Sequence, residues 1–241
     1  MAKIYGKDIY LIEQKFSHKT DGLFLVYIFF VAIITYWVYL FSFGFPHLGS
    51  NIAGSLLLIF YIIMRGPIER TLWKLRRLAR GLGGEADVRA VLLQLSHEYV
   101  IIENLIIPPL TSNIDFVVIG PTGVFALEVK SHVGNICYSD NKLYVHGIFE
   151  GGFLKQSRGS AIRLDDYLHN KNIVSPRIKP ILVFSSPYAV LRFGMKPIDG
   201  VLVIGSKWLL RSIQENPMVL TSDQVGTISS TLLELLPKNS Q

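Results

Sequence analysis

Three charged residues interrupt an otherwise apolar stretch, Asn113 to Lys130, which reads NIDFVVIGPTGVFALEVK. The charges are Asp115, Glu128 and Lys130, and a Gly-Pro-Thr-Gly turn separates the two apolar runs. A charge buried in a strand is costly unless it is paired or binds a metal ion. Carboxylates bind hard divalent cations, and an adjacent lysine stabilises an anion beside them. The stretch therefore predicts a divalent-metal site with a basic group next to it.

The spacing of the three charges predicts where they lie in a β-hairpin. If Pro121 and Thr122 form a two-residue turn, Ile119 pairs with Val124, and counting back places Asp115 opposite Glu128. Glu128 and Lys130 are two apart, so they share one face of a strand. One alternative is a type I turn with a bulge at the glycine, which slips the register by one. Another is an edge hairpin whose terminal charges are solvated.

These residues resemble the nuclease-related domain (NERD) family, which is part of the PD-(D/E)XK nuclease superfamily. The family pattern is an Asp that opens one strand, a Gly-Pro-x-Gly turn, and Glu-x-Lys at the end of the next strand. Two flanking elements also match: a Gly-Glu pair that opens a helix, and a glutamine at the start of a later helix. The matching residues are Gly84-Glu85, Ile114-Asp115, Gly120 to Gly123, Glu128 to Lys130, and Gln156. The resemblance covers roughly residues 82 to 237, and the chain departs from the family pattern at Phe116 and Ser131.

The resemblance implies a role for each of these side chains in phosphodiester hydrolysis. Asp115 and Glu128 would bind Mg²⁺ or Mn²⁺, and the Val129 carbonyl would add a third ligand. Lys130 would stabilise the attacking water or the phosphate. The remaining two roles are those of Glu85, which would bind the metal through water or hold a second ion, and Gln156, which would orient substrate or water.

Glu85, Gln156 and Lys130 also have structural alternatives to these roles. Glu85 is the kind of acid that a helix dipole favours in a first turn. Gln156 is an ordinary residue for the start of a helix. Lys130 is the kind of charge that protects an edge strand from aggregation. The hairpin spacing by itself supports only the group of Asp115, Glu128 and Lys130.

The N-terminal part of the chain has the composition of a membrane anchor. From Gly22 to Met64 there is no Asp, Glu, Lys or Arg. As one helix this run would be about 65 Å long, whereas a bilayer core is about 30 Å thick. A Pro- and Gly-containing segment, residues 44–51, provides a break. We therefore predict a hairpin of two transmembrane helices, near residues 23–43 and 48–64, against the alternatives of a buried core hairpin or a cleaved signal peptide.

Basic residues flank this apolar run on both sides, whereas the loop between the predicted spans has none. The positive-inside rule then predicts a protein of the cell membrane with both termini in the cytosol. The formal net charge is +6, and most of the excess lies just after the second span. Residues 68–82 read as a basic amphipathic helix, for which we weigh contact with anionic lipid against contact with nucleic acid. A single cysteine, Cys137, excludes an internal disulfide.

The sequence predicts four regions: a cytosolic N-terminal segment (1–21), the membrane hairpin (22–65), a basic juxtamembrane helix (66–81) and a nuclease-like domain (82–241). In the last region, helical and strand patterns alternate. Helices are expected at 85–95, 156–170, 207–213 and from 221 to 236, with Ile162 and Leu164 among the buried residues of the second. Strands are expected at 99–107, in the hairpin, and at 135–138, 142–146, 178–185 and 200–204. These elements indicate an α/β fold with a mixed central sheet flanked by helices, which the resemblance identifies as restriction-endonuclease-like.

The leading functional hypothesis is a membrane-anchored, divalent-metal-dependent nuclease that faces the cytosol, with DNA favoured over RNA. Action on incoming phage or plasmid DNA fits such a placement, and so do DNA uptake and repair. The alternative is a catalytically inactive binding or scaffold protein of a membrane assembly that retains the nuclease fold. The expected partners are nucleic acid and the lipid bilayer, with a homo-oligomer or other membrane proteins as further candidates.

Overall fold

A computed structural model of the chain describes residues 1–5, 83–109 and 113–237. Between the first two ranges it also describes residues 28, 31–36, 38–39, 54–55, 58, 65–66, 69–70, 73 and 81. The chain divides into two compact units, one formed by Met1–Asp8 with Gly83–Gln241 and the other by Ile9–Leu82. The predicted nuclease-like domain therefore shares its unit with the first eight residues.

In the unit Ile9–Leu82, the described residues are helical. Most residues of the two predicted spans and of the predicted basic helix lie outside the described residues. Among the residues that are described, no helix has the length and apolar character needed to cross a membrane.

A six-stranded mixed sheet forms the centre of the other unit, in the order β1-β2-β3-β4-β8-β10. The strands β2, β3 and β4 are antiparallel to one another, whereas β1, β8 and β10 each pair in parallel with their neighbour. Their bounds are β1 Lys3–Tyr5, β2 Val100–Ile106, β3 Asn113–Gly120, β4 Gly123–Lys130, β8 Lys179–Phe184 and β10 Leu202–Gly205. This arrangement confirms the predicted mixed sheet and adds β1, which the sequence did not predict.

A second sheet of four short strands follows in the order β7-β6-β5-β9. Its bounds are β5 Gly134–Ser139, β6 Lys142–Val145, β7 Ile148–Phe149 and β9 Ala189–Leu191. The strands β5 and β6 lie where two strands were predicted, on either side of a turn expected at Ser139-Asp140-Asn141. They pair as a hairpin, and Asp140 and Asn141 both have positive φ, as a tight hairpin turn requires. The strands β7 and β9 were not predicted.

Helices cover both faces of the central sheet. The helical residues 83–92, here α1, contribute Val88 and Leu92 to the core on one face. Helix α2, Gly151–Asn170, contributes Ala161, Leu164 and Leu168 to the core on the other face. The remaining helices are a 3₁₀ turn at Ser206–Trp208, α3 at Leu209–Gln214 and α4 at Ser222–Leu233.

Several features of these helices differ from the sequence prediction, and α1 ends at residue 92 instead of the predicted 95. Helix α2 begins at Gly151, five residues earlier than predicted, and Ile162 on it is 54% exposed instead of buried. Helix α4 ends at Leu233, short of the predicted Leu236. Its predicted start is confirmed, because the Thr221 side chain accepts from the Gln224 N–H and the Gln224 side chain accepts from the Thr221 N–H, which is a capping box.

Candidate active site

The hairpin of β3 and β4 has the register that the two-residue turn predicts. Ile119 pairs with Val124, and the ladder runs to the pair of Phe116 and Leu127. The bulged alternative, which shifts this register by one, is therefore wrong. The ladder ends there, and the same register continued by one step would place Asp115 opposite Glu128.

Asp115 takes a hydrogen bond from the neighbouring strand at the point where the ladder ends. Its Oδ2 accepts the backbone N–H of Val129 at 2.8 Å. The side chain thereby satisfies a buried donor of β4 and ties the two strands together beyond their last paired residues. Asp115 is therefore fixed beside the end of β4, against Val129, the residue that precedes Lys130.

Both carboxylates lie in the interior of the sheet. Strand β4 is bounded by β3 on one side and by β8 on the other, and Lys130 pairs with Phe184. Glu128 is 2% exposed and Asp115 is 8% exposed. The alternatives of an edge hairpin with solvated charges, and of Lys130 as the guard of an edge strand, are therefore wrong.

Lys130 is held by three groups that converge on its ammonium. Its Nζ donates to Glu128 Oε1 at 2.6 Å and to Gln156 Oε1 at 3.3 Å. It also lies 4.9 Å from the ring centroid of Phe153, which is a cation–π contact. Helix α2 supplies both Gln156 and Phe153, so this helix positions the lysine against the strand.

Gln156 therefore contacts the predicted site, although it does not lie where it was predicted. It is the sixth residue of α2 and not a helix-start residue. The sequence reasoning placed no role on Phe153. An aromatic residue three positions before Gln156 lies on the same side of a helix, and that spacing was the available signal.

Burial disfavours the charged form of both carboxyl groups, and the charge of Asp115 adds to this effect at Glu128. Burial, and then the charge of Asp115, raises the pKa of Glu128 to about 7, although Lys130 acts in the opposite direction. Burial also raises the pKa of Asp115, while the Val129 N–H and Lys130 oppose that shift. In this arrangement a single lysine does not neutralise the two carboxylates, so a further cation would be stabilised between them.

Glu85 belongs to the same electrostatic group although it comes from α1. Burial raises its pKa to about 7, and the charges of Asp115 and Glu128 add to the shift. A close contact beside it positions the helix, because a Cβ on Gly84 would lie 2.5 Å from the Ser185 Oγ. The backbone of α1 thus reaches the ends of β4 and β8 where only glycine fits.

A third buried acid, Glu103 on β2, was missed by the sequence reasoning. It is 2% exposed, and its Oε1 lies 2.8 Å from the Arg89 Nε of α1. Its charge also contributes to the raised pKa of Glu85. The signal was available, because Glu103 is the only charge in the apolar strand Val100–Ile106. Its pairing with Arg89 makes it a residue that holds α1 against the sheet.

The donor set of the site fits a divalent cation with few protein ligands. Glu128 Oε2 is buried and has no hydrogen-bond partner, so one hard oxygen is left for a ligand. Within the described residues, no group of three or more His, Cys, Asp or Glu side chains is close enough to hold an ion. Mg²⁺ is commonly bound by one or two carboxylates, with waters and substrate phosphates completing its shell. Asp115 and Glu128 would supply two such carboxylates. The ligand roles of Val129 and Glu85 stay predictions.

Phe116, one of the departures from the family pattern, is fully buried and packs in the core on the α1 side of the sheet.

Comparison with curated proteins and with solved structures gives no significant match. Comparison with protein families does give one. A nuclease-related domain (NERD) is found at residues 80–185, a range that contains every residue predicted for the site.

Proposed function

We propose that this protein is a divalent-metal-dependent nuclease that hydrolyses phosphodiester bonds, with DNA favoured over RNA as its substrate. The observation that carries the proposal is the buried pair of Asp115 and Glu128, with Lys130 hydrogen-bonded beside it, inside a nuclease-related domain. Two repelling carboxylates are a costly arrangement for a fold, and a cation with a phosphate offsets that cost.

Asp115 and Glu128 would hold the cation. When bound, a divalent cation supplies Lewis-acid charge and lowers the pKa of a coordinated water. Glu128 Oε2 is the open donor, whereas Asp115 Oδ2 is oriented by the Val129 N–H. The two groups therefore offer oxygens without a rearrangement of the strands.

Lys130 would stabilise the negative charge that develops on the phosphate. Its ammonium is only partly exposed and already donates to Glu128 and Gln156. A phosphate oxygen would take the place of Gln156, because the 3.3 Å contact is the longer of the two. Gln156 would then be free to orient the substrate or the attacking water.

Glu85 is the group that we propose for proton transfer. In the metal-free protein its pKa is about 7, and a cation held by Asp115 and Glu128 would lower that pKa. Glu85 would then be a carboxylate able to accept the proton of a water that attacks phosphorus. A role as a second metal ligand through water is compatible with the same position.

Membrane anchoring is a further part of the proposal, supported by the uncharged run from Gly22 to Met64 and by the basic residues on both sides of it. Extraction of cell membranes with alkaline carbonate tests it: protein retained in the pellet supports the anchor, and protein released to the supernatant contradicts it. Defence against incoming DNA would follow if loss of the gene increases phage or plasmid entry.

Cleavage of labelled single-stranded and duplex DNA and RNA by the full-length protein tests the activity. We expect cleavage with Mg²⁺ or Mn²⁺, none with EDTA, and a loss of at least about 10²-fold in Asp115→Asn and in Lys130→Met. Glu98→Gln, at an exposed glutamate outside the site, is the matched control and should cleave like the wild type. Absence of cleavage on every substrate would instead favour the binding or scaffold protein. Full activity in both site variants would contradict the proposed roles of Asp115 and Lys130 and place catalysis at other residues.

A further inference from the structure

A shallow groove runs along the outer surface of α2 and begins at the candidate active site. Six of the residues that line it are Gly152, Lys155, Gln156, Gly159, Ile162 and Arg163. Their spacing of three, four and seven residues places them along one side of a helix. Gln156, which contacts Lys130 of the site, is one of these residues. The groove and the site are therefore continuous.

The groove is positively charged. Its charged residues are Lys155, Arg158 and Arg163, and none of the described residues that line it is acidic. Arg158 has Asp199 at 3.8 Å, but both side chains are about half exposed, so this pair is weak. Arg163 is braced by a 3.0 Å hydrogen bond from its Nη2 to the Ser160 hydroxyl. The lining thus offers several donors with little competition from within the protein.

The shape of the groove suits a bulky, extended anion. Gly152 has no atom within 4 Å of the position of a Cβ, and at Gly159 the nearest is the Arg163 Nη1 at 3.4 Å. The missing side chains leave the backbone of α2 open to close approach. Ile162, which is 54% exposed, adds an apolar surface between the cations. Lys155 and Arg163 are about 12 Å apart along the helix axis, which matches about three phosphates of one strand.

We propose that this groove binds the phosphodiester backbone of a nucleic acid and guides one strand to the site of Asp115 and Glu128. The inference rests on the proposed nuclease function and adds the surface that holds the substrate. Contacts of this kind fix the position of the strand without reading its sequence. The groove therefore gives affinity for nucleic acid in general and leaves base preference to other residues.

The dependence of binding on salt measures how many phosphates the groove neutralises. The logarithm of the binding constant falls as the logarithm of the salt concentration rises. Each lost phosphate contact makes this fall less steep, by about 0.9 for duplex DNA and about 0.7 for a single strand. The double variant Lys155→Gln/Arg163→Gln should therefore lower the slope by about 1.8 or about 1.4, respectively. The conservative variant Lys155→Arg/Arg163→Lys keeps both charges and should keep the wild-type slope.

Fluorescence anisotropy of a short labelled oligonucleotide with the full-length protein tests this, with Ca²⁺ in place of Mg²⁺ and a range of NaCl concentrations. Lys171→Gln removes one charge at the far end of α2, outside the groove, and is the control. A reduced slope in the double variant alone would support the proposal. An unchanged slope in the double variant, or an equal reduction per charge in Lys171→Gln, would overturn it.

The cleavage assay separates failure of this inference from failure of the proposed function. A reduced slope in a protein that cleaves nothing would leave the groove as a binding surface and reject the nuclease. Metal-dependent cleavage with an unchanged slope would keep the nuclease and reject the groove.

Discussion

Replacement of Glu128 by glutamine should stabilise the metal-free protein at alkaline pH. Glutamine has nearly the same shape as the neutral form of glutamate, and it cannot acquire the buried charge. In the folded protein the pKa of Glu128 is about 7, above the value of 4.5 that a glutamate has in an unfolded chain. Folding therefore opposes ionisation of this residue, and the opposing effect of Lys130 is already part of that shift.

The sign and size of the effect follow from the two pKa values. Below the unfolded value both states are protonated, so wild type and Glu128→Gln should be almost equally stable near pH 4. As the pH rises from 4.5 towards 7, the unfolded wild type loses its proton first, and the folded state loses stability. The shift corresponds to about 3 kcal/mol, which should be fully expressed by about pH 8.

Urea denaturation in EDTA, followed by circular dichroism across this pH range, measures the difference. Glu234→Gln, at an exposed glutamate after α4, is the matched control and should follow the wild type at every pH. Addition of Mg²⁺ should stabilise the wild type and reduce its difference from Glu128→Gln. A Glu128→Gln protein that is less stable than wild type near pH 8, or a difference that does not vary with pH, would refute the reasoning.

Two further predictions concern the contacts that position the site. Gly84→Ala should destabilise the fold by about 1–3 kcal/mol, because the new Cβ would lie 2.5 Å from the Ser185 Oγ. Gly83→Ala is the control and should be neutral or slightly stabilising, because its Cβ would have nothing within 4 Å. Equal unfolding midpoints in urea for the two variants would contradict this prediction. Tyr99→Phe should cost about 1 kcal/mol, because the buried bond of the Tyr99 hydroxyl with the Thr122 hydroxyl, 3.1 Å long, closes over the hairpin turn; an unchanged urea midpoint would show that this bond contributes nothing.

The hairpin was predictable because its information is local. The turn residues limited the register to two choices, and the charges in apolar strands indicated the positions of the candidate site. The same signal at Glu103 was not used, since its meaning depends on Arg89, which another element supplies. A buried charge can be found in a sequence, but its partner is a property of the tertiary structure.

The misplaced elements depend on contacts that no local pattern contains. Strand β1 has three residues and gains its order by pairing with β2, almost a hundred residues later in the chain. The start of α2 was placed too late because the family resemblance put Gln156 at the start of a helix, whereas Gly151 and Gly152 form its first turn. Ile162 was assigned to the core from helical spacing, yet it lies in the groove beside the site. If the proposed binding surface is correct, an apolar residue there breaks the pattern that identifies a core.

Asp115 and Glu128 together should bind a divalent cation. Titration of the full-length protein with Mn²⁺ at about pH 8, followed by electron paramagnetic resonance of the free ion, measures this binding directly. We expect saturable binding by the wild type that is lost or strongly weakened in both Asp115→Asn and Glu128→Gln. Equal binding by all three proteins, or no binding by the wild type, would contradict it.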